Sequence, residues 1–96
     1  MFKKLSAEAE ILSEAQRKIR AHGWEQGRFG DEEIGFCIEG ALGPVPVTPA
    51  AINVAQTLSD WASEEGFDSV TDWNDADCRT ERQVLQMLDR AAKLYA

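Results

Sequence analysis

The stretch Trp73-Asn74-Asp75-Ala76-Asp77-Cys78-Arg79-Thr80, with the run 81–95 directly behind it, decides how this chain is read. In 81–95, Val84, Leu88, Ala91 and Tyr95 recur at spacings of four and three, with Leu85 and Ala92 beside them. A helix places residues so spaced on one face, and a face of that width has to be buried. Thr80 followed three residues later by Gln83 is a Thr-x-x-Gln capping box, which fixes where the helix starts. Ahead of it, Trp73 reads as a plug in the core. Asn74 and Asp75 read as turn-shaping residues, and Arg79 as a partner across the turn, through an ion pair with Asp75 or a hydrogen bond. Trp73, Asn74, Asp75, Arg79 and Thr80 together read as a structural motif.

Working outward, residues 6–22 repeat the helical pattern. Leu5, Ala9, Leu12, Ala15 and Ile19 form a stripe, Ser6 is the N-cap, and Gly23 supplies the stop. Thr48-Pro49 marks a second start, with threonine at the cap and proline at the first helical position. The helix 49–65 is expected to turn Ile52, Ala55, Leu58 and Ala62 inward, with Val54 and Trp61 on a flank. Residues 37–42 form a short helix of small side chains, and 34–36 and 45–47 a minor extended pair. Residues 68–75 form either one helical turn or an irregular connection, in which Val70 and Trp73 share a face. The expected fold is all-α: a single domain over residues 1–96, with three main helices and a short one.

Composition narrows the function classes. The 96 residues are 44% hydrophobic with three Trp and four Phe, enough for a small core and too many large apolar groups for a disordered chain. No apolar run approaches a membrane span, and the basic start Met1–Ser6 has no apolar segment behind it, so neither membrane insertion nor a signal peptide is expected. Cys37 and Cys78 read as free thiols in a reducing cytoplasm, and one histidine with no Cys-x-x-Cys makes a zinc site untenable. No cofactor is implied.

Net charge is −7, and residues 60–81 hold eight acids against the single base Arg79. Direct binding to nucleic acid is therefore disfavoured, because it needs clustered Lys and Arg. Glu64, Glu65, Asp68, Asp72, Asp75 and Asp77, with Trp61 nearby, are the candidate binding residues, and they suit a protein partner with a basic surface. Their bland alternative is a solvated acidic face. The Asp72, Asp75 and Asp77 cluster lacks the glycine and the distal glutamate of a calcium loop. A spare apolar face would also allow a homodimer.

The combination Gly23-Trp24 with Gly27, then Cys37-x-x-Gly40-Ala41-Leu42, then Trp73-Asn74-Asp75-x-x-x-Arg79-Thr80 resembles a family of small proteins of unknown function from actinobacteria and their phages. The resemblance spans nearly the whole chain and implies a cytoplasmic protein of a bacterium or an infected cell. The chain departs from the pattern at Cys78, where a turn residue such as glycine is expected. Three functional expectations follow. The first is a non-catalytic interaction module, phage-encoded and acting on a host or self protein. The second is an acidic mimic of nucleic acid that occupies a basic groove. The third is a small enzyme or ligand-binding protein, with Cys37 at a helix N-terminus as nucleophile, His22 as base and Asn74 or Asp75 orienting it. Of the aromatic residues Trp24, Phe29, Phe36, Trp61, Phe67 and Trp73, most are expected in or over the core; any that is exposed at a concave site would be an interface anchor.

Overall fold

The computed structural model describes residues 5–43 and 48–96. Helix α1 spans Ala7–His22, a hairpin joins β1 (Gly30–Asp31) to β2 (Gly35–Phe36), and α2 (Ile38–Leu42) follows. After α3 (Pro49–Glu64) come the short α4 (Val70–Asn74) and the C-terminal α5 (Glu81–Leu94). The protein is mostly helical with one small antiparallel sheet, and α1 packs against α2, α3, α5 and β2.

Each helix begins on a side-chain cap, because its first N–H groups have no partner within the helix. Ser6, Cys37, Thr48, Ser69 and Thr80 each accept a bond from the backbone N–H three residues on. At α5 both halves of the capping box are present: Gln83 N–H donates to Thr80 Oγ1, and Thr80 N–H to Gln83 Oε1. The core is Leu12, Ala15 and Ile19 of α1, Ile38 and Ala41 of α2, Val54, Leu58 and Ala62 of α3, Val70 and Trp73 of α4, and Val84, Met87, Leu88 and Ala91 of α5. The start of α1 and the end of α5 are tied together. Ser6 Oγ donates to the Tyr95 carbonyl at 2.7 Å, and the Tyr95 hydroxyl donates to the Asn53 carbonyl at 3.1 Å.

Several sequence expectations are corrected. The inner face of α3 runs through Val54, Leu58 and Ala62, while Ile52 and Ala55 are exposed. That helix is apolar on most sides of its first two turns, so spacing alone admits two faces, and packing on α1, α4 and α5 selects one. Leu5 precedes α1 and is half exposed instead of joining its stripe. The extended pairing is β1 with β2, Gly30 opposite Phe36 and Asp31 opposite Gly35, and not 34–36 with 45–47; residues 45–47 lie outside the described residues. Asp31 makes this turn by accepting, through Oδ1, from Glu33 N–H and Ile34 N–H. Residues 68–75 take the helical turn, α4, of the two forms expected, so the described residues hold two short helices and not one, with Val70 and Trp73 buried on one face as the spacing implied.

Candidate functional site

The two segments that carry the sequence motifs meet at one buried side chain. Asn74 sits at the end of α4 with no solvent exposure. Its Oδ1 accepts from the Trp24 indole N–H at 2.8 Å and from Ile38 N–H at 3.0 Å. Its Nδ2 donates to the Glu25 carbonyl at 3.1 Å and to Asp75 Oδ1 at 3.0 Å. A primary amide has two acceptor sites and two donors, and here all four are used, which is what makes its burial tolerable. Asn74 thus ties the loop after α1, the start of α2 and the end of α4 to one point.

The neighbouring groups solve a second problem, the unpaired carbonyls at the end of a five-residue helix. Gln26 Nε2 donates to the carbonyls of Asn74 and Ala76, each at 3.0 Å, and Arg79 Nε donates to the Trp73 carbonyl at 2.8 Å. Asp75 Oδ1 accepts from Gly27 N–H at 3.0 Å. The Arg79 guanidinium lies 3.8 Å from the Trp73 ring centroid, a cation–π contact; of the two roles expected from sequence, Arg79 hydrogen-bonds across the turn, to the Trp73 carbonyl, and does not form the ion pair with Asp75. Asn74 is likewise not a turn-former but the centre of the junction.

Above this junction stands Phe29. Phe29 is 66% exposed, the most of any large apolar residue described. Its backbone is held fast: the Phe29 carbonyl accepts from Cys37 N–H at 3.1 Å, and a Cβ at Gly40 would lie 2.0 Å from that carbonyl oxygen. Only glycine allows the loop to lie this close to α2. Gly35 adopts φ +91°, and a Cβ there would lie 2.6 Å from the Gly23 carbonyl oxygen, which accepts from Phe36 N–H at 2.9 Å, while Glu25 N–H donates to Phe36 O at 3.0 Å. Phe29 and Glu39 form a shared ridge between three grooves. One of about 240 Å³ is lined by Gly27, Arg28, Cys37, Thr71 and Asp75. The next, of about 420 Å³, adds Lys18, Phe36 and Gly43. The third, of about 230 Å³, reaches Leu42, Ala55 and Ser59.

The remaining candidates are dispersed. Cys37 is buried and caps α2 through its sulfur, which accepts from Gly40 N–H at 3.2 Å. Burial pushes its thiol pKa up, against the direction expected for a nucleophile activated by a helix dipole, although the bonds from Gly40 and Glu39 oppose this. His22 packs edge-on against Phe36 at 5.9 Å and is not hydrogen-bonded to Cys37. Cys78 is a free, exposed thiol. Glu65 is engaged internally, accepting from the Trp73 indole N–H at 3.0 Å. Glu64, Asp68, Asp72 and Asp77 are exposed. Trp61, half-buried, carries the Arg90 guanidinium 3.8 Å from its ring centroid. Among the described residues no group of three or more His, Cys, Asp or Glu side chains is placed to hold a metal ion. No described helix is long and apolar enough to cross a membrane.

Phe29 and Asn74 are the residues that sequence reading undervalued. Asn74 had a signal: Val70, Trp73 and Asn74 stand at i, i+3 and i+4, so an asparagine shares the buried face of its helix.

Fold and site define a small, mainly helical protein whose polar junction, centred on Asn74, supports an exposed aromatic ridge. The profile of a family of unknown function (DUF6197) matches residues 4–94, and the chain belongs to that family. No curated protein and no solved structure shows a significant match.

Proposed function

We propose that this chain is a non-catalytic protein-interaction module of an actinobacterium or its phage, acting in the cytoplasm on a host or self protein. The observation that carries this reading is Phe29, two-thirds exposed on a backbone fixed to α2 and flanked by concave surface. A mobile aromatic would lose side-chain and loop entropy on binding; one on a fixed backbone loses less, so more of its apolar area contributes to affinity. Glu39 on the same ridge, with Asp75 in the adjoining groove, supports a partner segment that pairs an apolar side chain with a basic one. Lys18 and Arg28 at the outer edges would set its register.

The test is quantitative affinity capture from an actinobacterial lysate with wild type, Phe29→Ala, and a variant carrying Glu64→Gln, Glu65→Gln, Asp68→Asn and Asp72→Asn. Glutamine at 65 keeps an acceptor for the Trp73 indole, so the second variant changes charge and spares the fold. A specific partner lost with Phe29→Ala and retained by the charge variant supports the aromatic ridge. Retention by Phe29→Ala would contradict it.

A second reading, an acidic mimic of nucleic acid, is favoured by the exposure of Glu64, Asp68, Asp72 and Asp77. It requires the opposite outcome: a DNA- or RNA-binding partner lost with the charge variant alone.

A further inference from the structure

On a separate face, Arg79 and Arg90 line one shallow depression of about 250 Å³ together with Glu65, Trp73, Gln83 and Met87. Both guanidinium groups are held in place. Arg79 sits over Trp73, with its Nε bonded to the Trp73 carbonyl, and Arg90 sits over Trp61. An indole over one face of a guanidinium leaves its in-plane N–H groups at the edge, available to an acceptor. The ion pairs among the described residues are Glu14 with Arg17, Glu25 with Arg28, and Asp89 with Lys93, so among these residues no carboxylate pairs with Arg79 or Arg90. That is notable in a protein of net charge −7, where acids outnumber bases. Glu65, the one carboxylate in the depression, is bonded through Oε2 to the Trp73 indole. Gln83 contributes as well: its Oε1 is committed to the capping box, which leaves its NH₂ as a free donor.

We propose that this depression binds a carboxylate group between Arg79 and Arg90, with the Gln83 amide as a further donor. Planar, fork-shaped donors match a planar carboxylate in two parallel bonds. The overall negative charge and the nearby Glu65 favour a monoanion over a dianionic phosphate, whose repulsion is greater. Met87 and the Trp73 ring supply apolar contact for the carbon atoms next to the carboxylate. The carboxylate belongs either to a small acid or to an acidic side chain of a peptide.

The experiment is an NMR titration of the full chain, reading the Nε–H signals of Arg79 and Arg90 and the Trp73 indole N–H. The probes are sodium acetate, a capped Glu-Leu dipeptide and inorganic phosphate, with ionic strength held constant by chloride. Saturable shifts with both carboxylates are expected, weakened about tenfold or more in Arg90→Gln and not restored in Arg90→Lys, which lacks the fork. Tighter binding of the dipeptide than of acetate assigns the site to a peptide side chain; equal binding assigns it to a small acid. Arg90 is exposed, so its replacement leaves the core intact. Shifts that never saturate, that persist unchanged in Arg90→Gln, or that arise with phosphate alone would overturn the proposal.

Discussion

Helix α5 and the junction around Asn74 are adjacent in sequence and built by different means. The start of α5 is fixed by Thr80 and Gln83, three residues apart, and its buried stripe Val84, Met87, Leu88, Ala91 lies within the helix itself. Asn74 reaches partners far along the chain: its bonds to Trp24, Glu25 and Ile38 span 50, 49 and 36 residues. The helix can therefore take shape from its own sequence once a partner surface exists. The junction is only partly local: of the four bonds of the Asn74 side chain, the one to Asp75 is within reach of its own segment, and the other three need the fold. The difference teaches where a small chain keeps its specificity. Apolar helices supply burial; the Asn74 amide ties the loop after α1 to α2 and α4, and the Cys37 N–H bond with the bare Cα of Gly40 sets where Phe29 stands.

Trp73→Ala should cause the largest loss, because Trp73 belongs to both regions: its ring is core and its indole, carbonyl and face hold Glu65 and Arg79. The expected cost is about 3–5 kcal/mol. A thermal melt unchanged in this variant, with partner binding lost, would make Trp73 a contact residue instead.

Asn74→Ala should follow, at about 3 kcal/mol, since it leaves the Trp24 indole N–H, Ile38 N–H and Glu25 carbonyl without their partner. Denaturant titration gives the value. A cost below about 1 kcal/mol would place the junction among ordinary surface polar contacts and erase the contrast with α5.

Thr80→Ala tests the local side. It removes the bond from Gln83 N–H to the side chain and leaves the return bond from the residue 80 N–H to Gln83 Oε1, and should cost about 1 kcal/mol. Its effect and that of Asn74→Ala should add in the double variant, because the two sites share no hydrogen-bond partner. Marked non-additivity would show that α5 and the junction are one unit.

The smallest effect is a pH dependence. Burial raises the Cys37 thiol pKa in the folded chain, so folding favours the neutral thiol. Its contribution is fully present below the pKa of an unfolded thiol and is lost as pH rises through the folded value. Wild type should therefore lose more stability than Cys37→Ser between about pH 7 and about pH 10, serine being able to keep the cap on Gly40. Parallel pH profiles would contradict this.

How much of this could be read from the residues follows the same divide. The starts of α1, α3 and α5 were legible, because a cap and a periodic stripe are local facts. The inward face of α3 was not, since Ile52 and Val54 are equally apolar and only the packing partner chooses between them. Of the hairpin, the extended residues 34–36 were legible and their partner was not, because Gly30–Asp31 has no alternating pattern. Of the site, the importance of the Trp73–Thr80 segment was visible and its chemistry was not. Arg79 found an aromatic face in place of Asp75, and Asn74 found partners that no spacing rule connects to it. Phe29 was one aromatic among several until the fold left it outside.

The most direct test is hydrogen exchange at the Trp24 indole N–H and the Ile38 backbone N–H, followed by NMR in wild type and in Asn74→Ala. If the Asn74 amide joins the two segments, both protons exchange slowly in wild type and at a common opening free energy, and both lose protection together when residue 74 is alanine. A Trp24 indole that exchanges as fast as an exposed one in wild type, or Ile38 protection that survives Asn74→Ala, would contradict the junction as described.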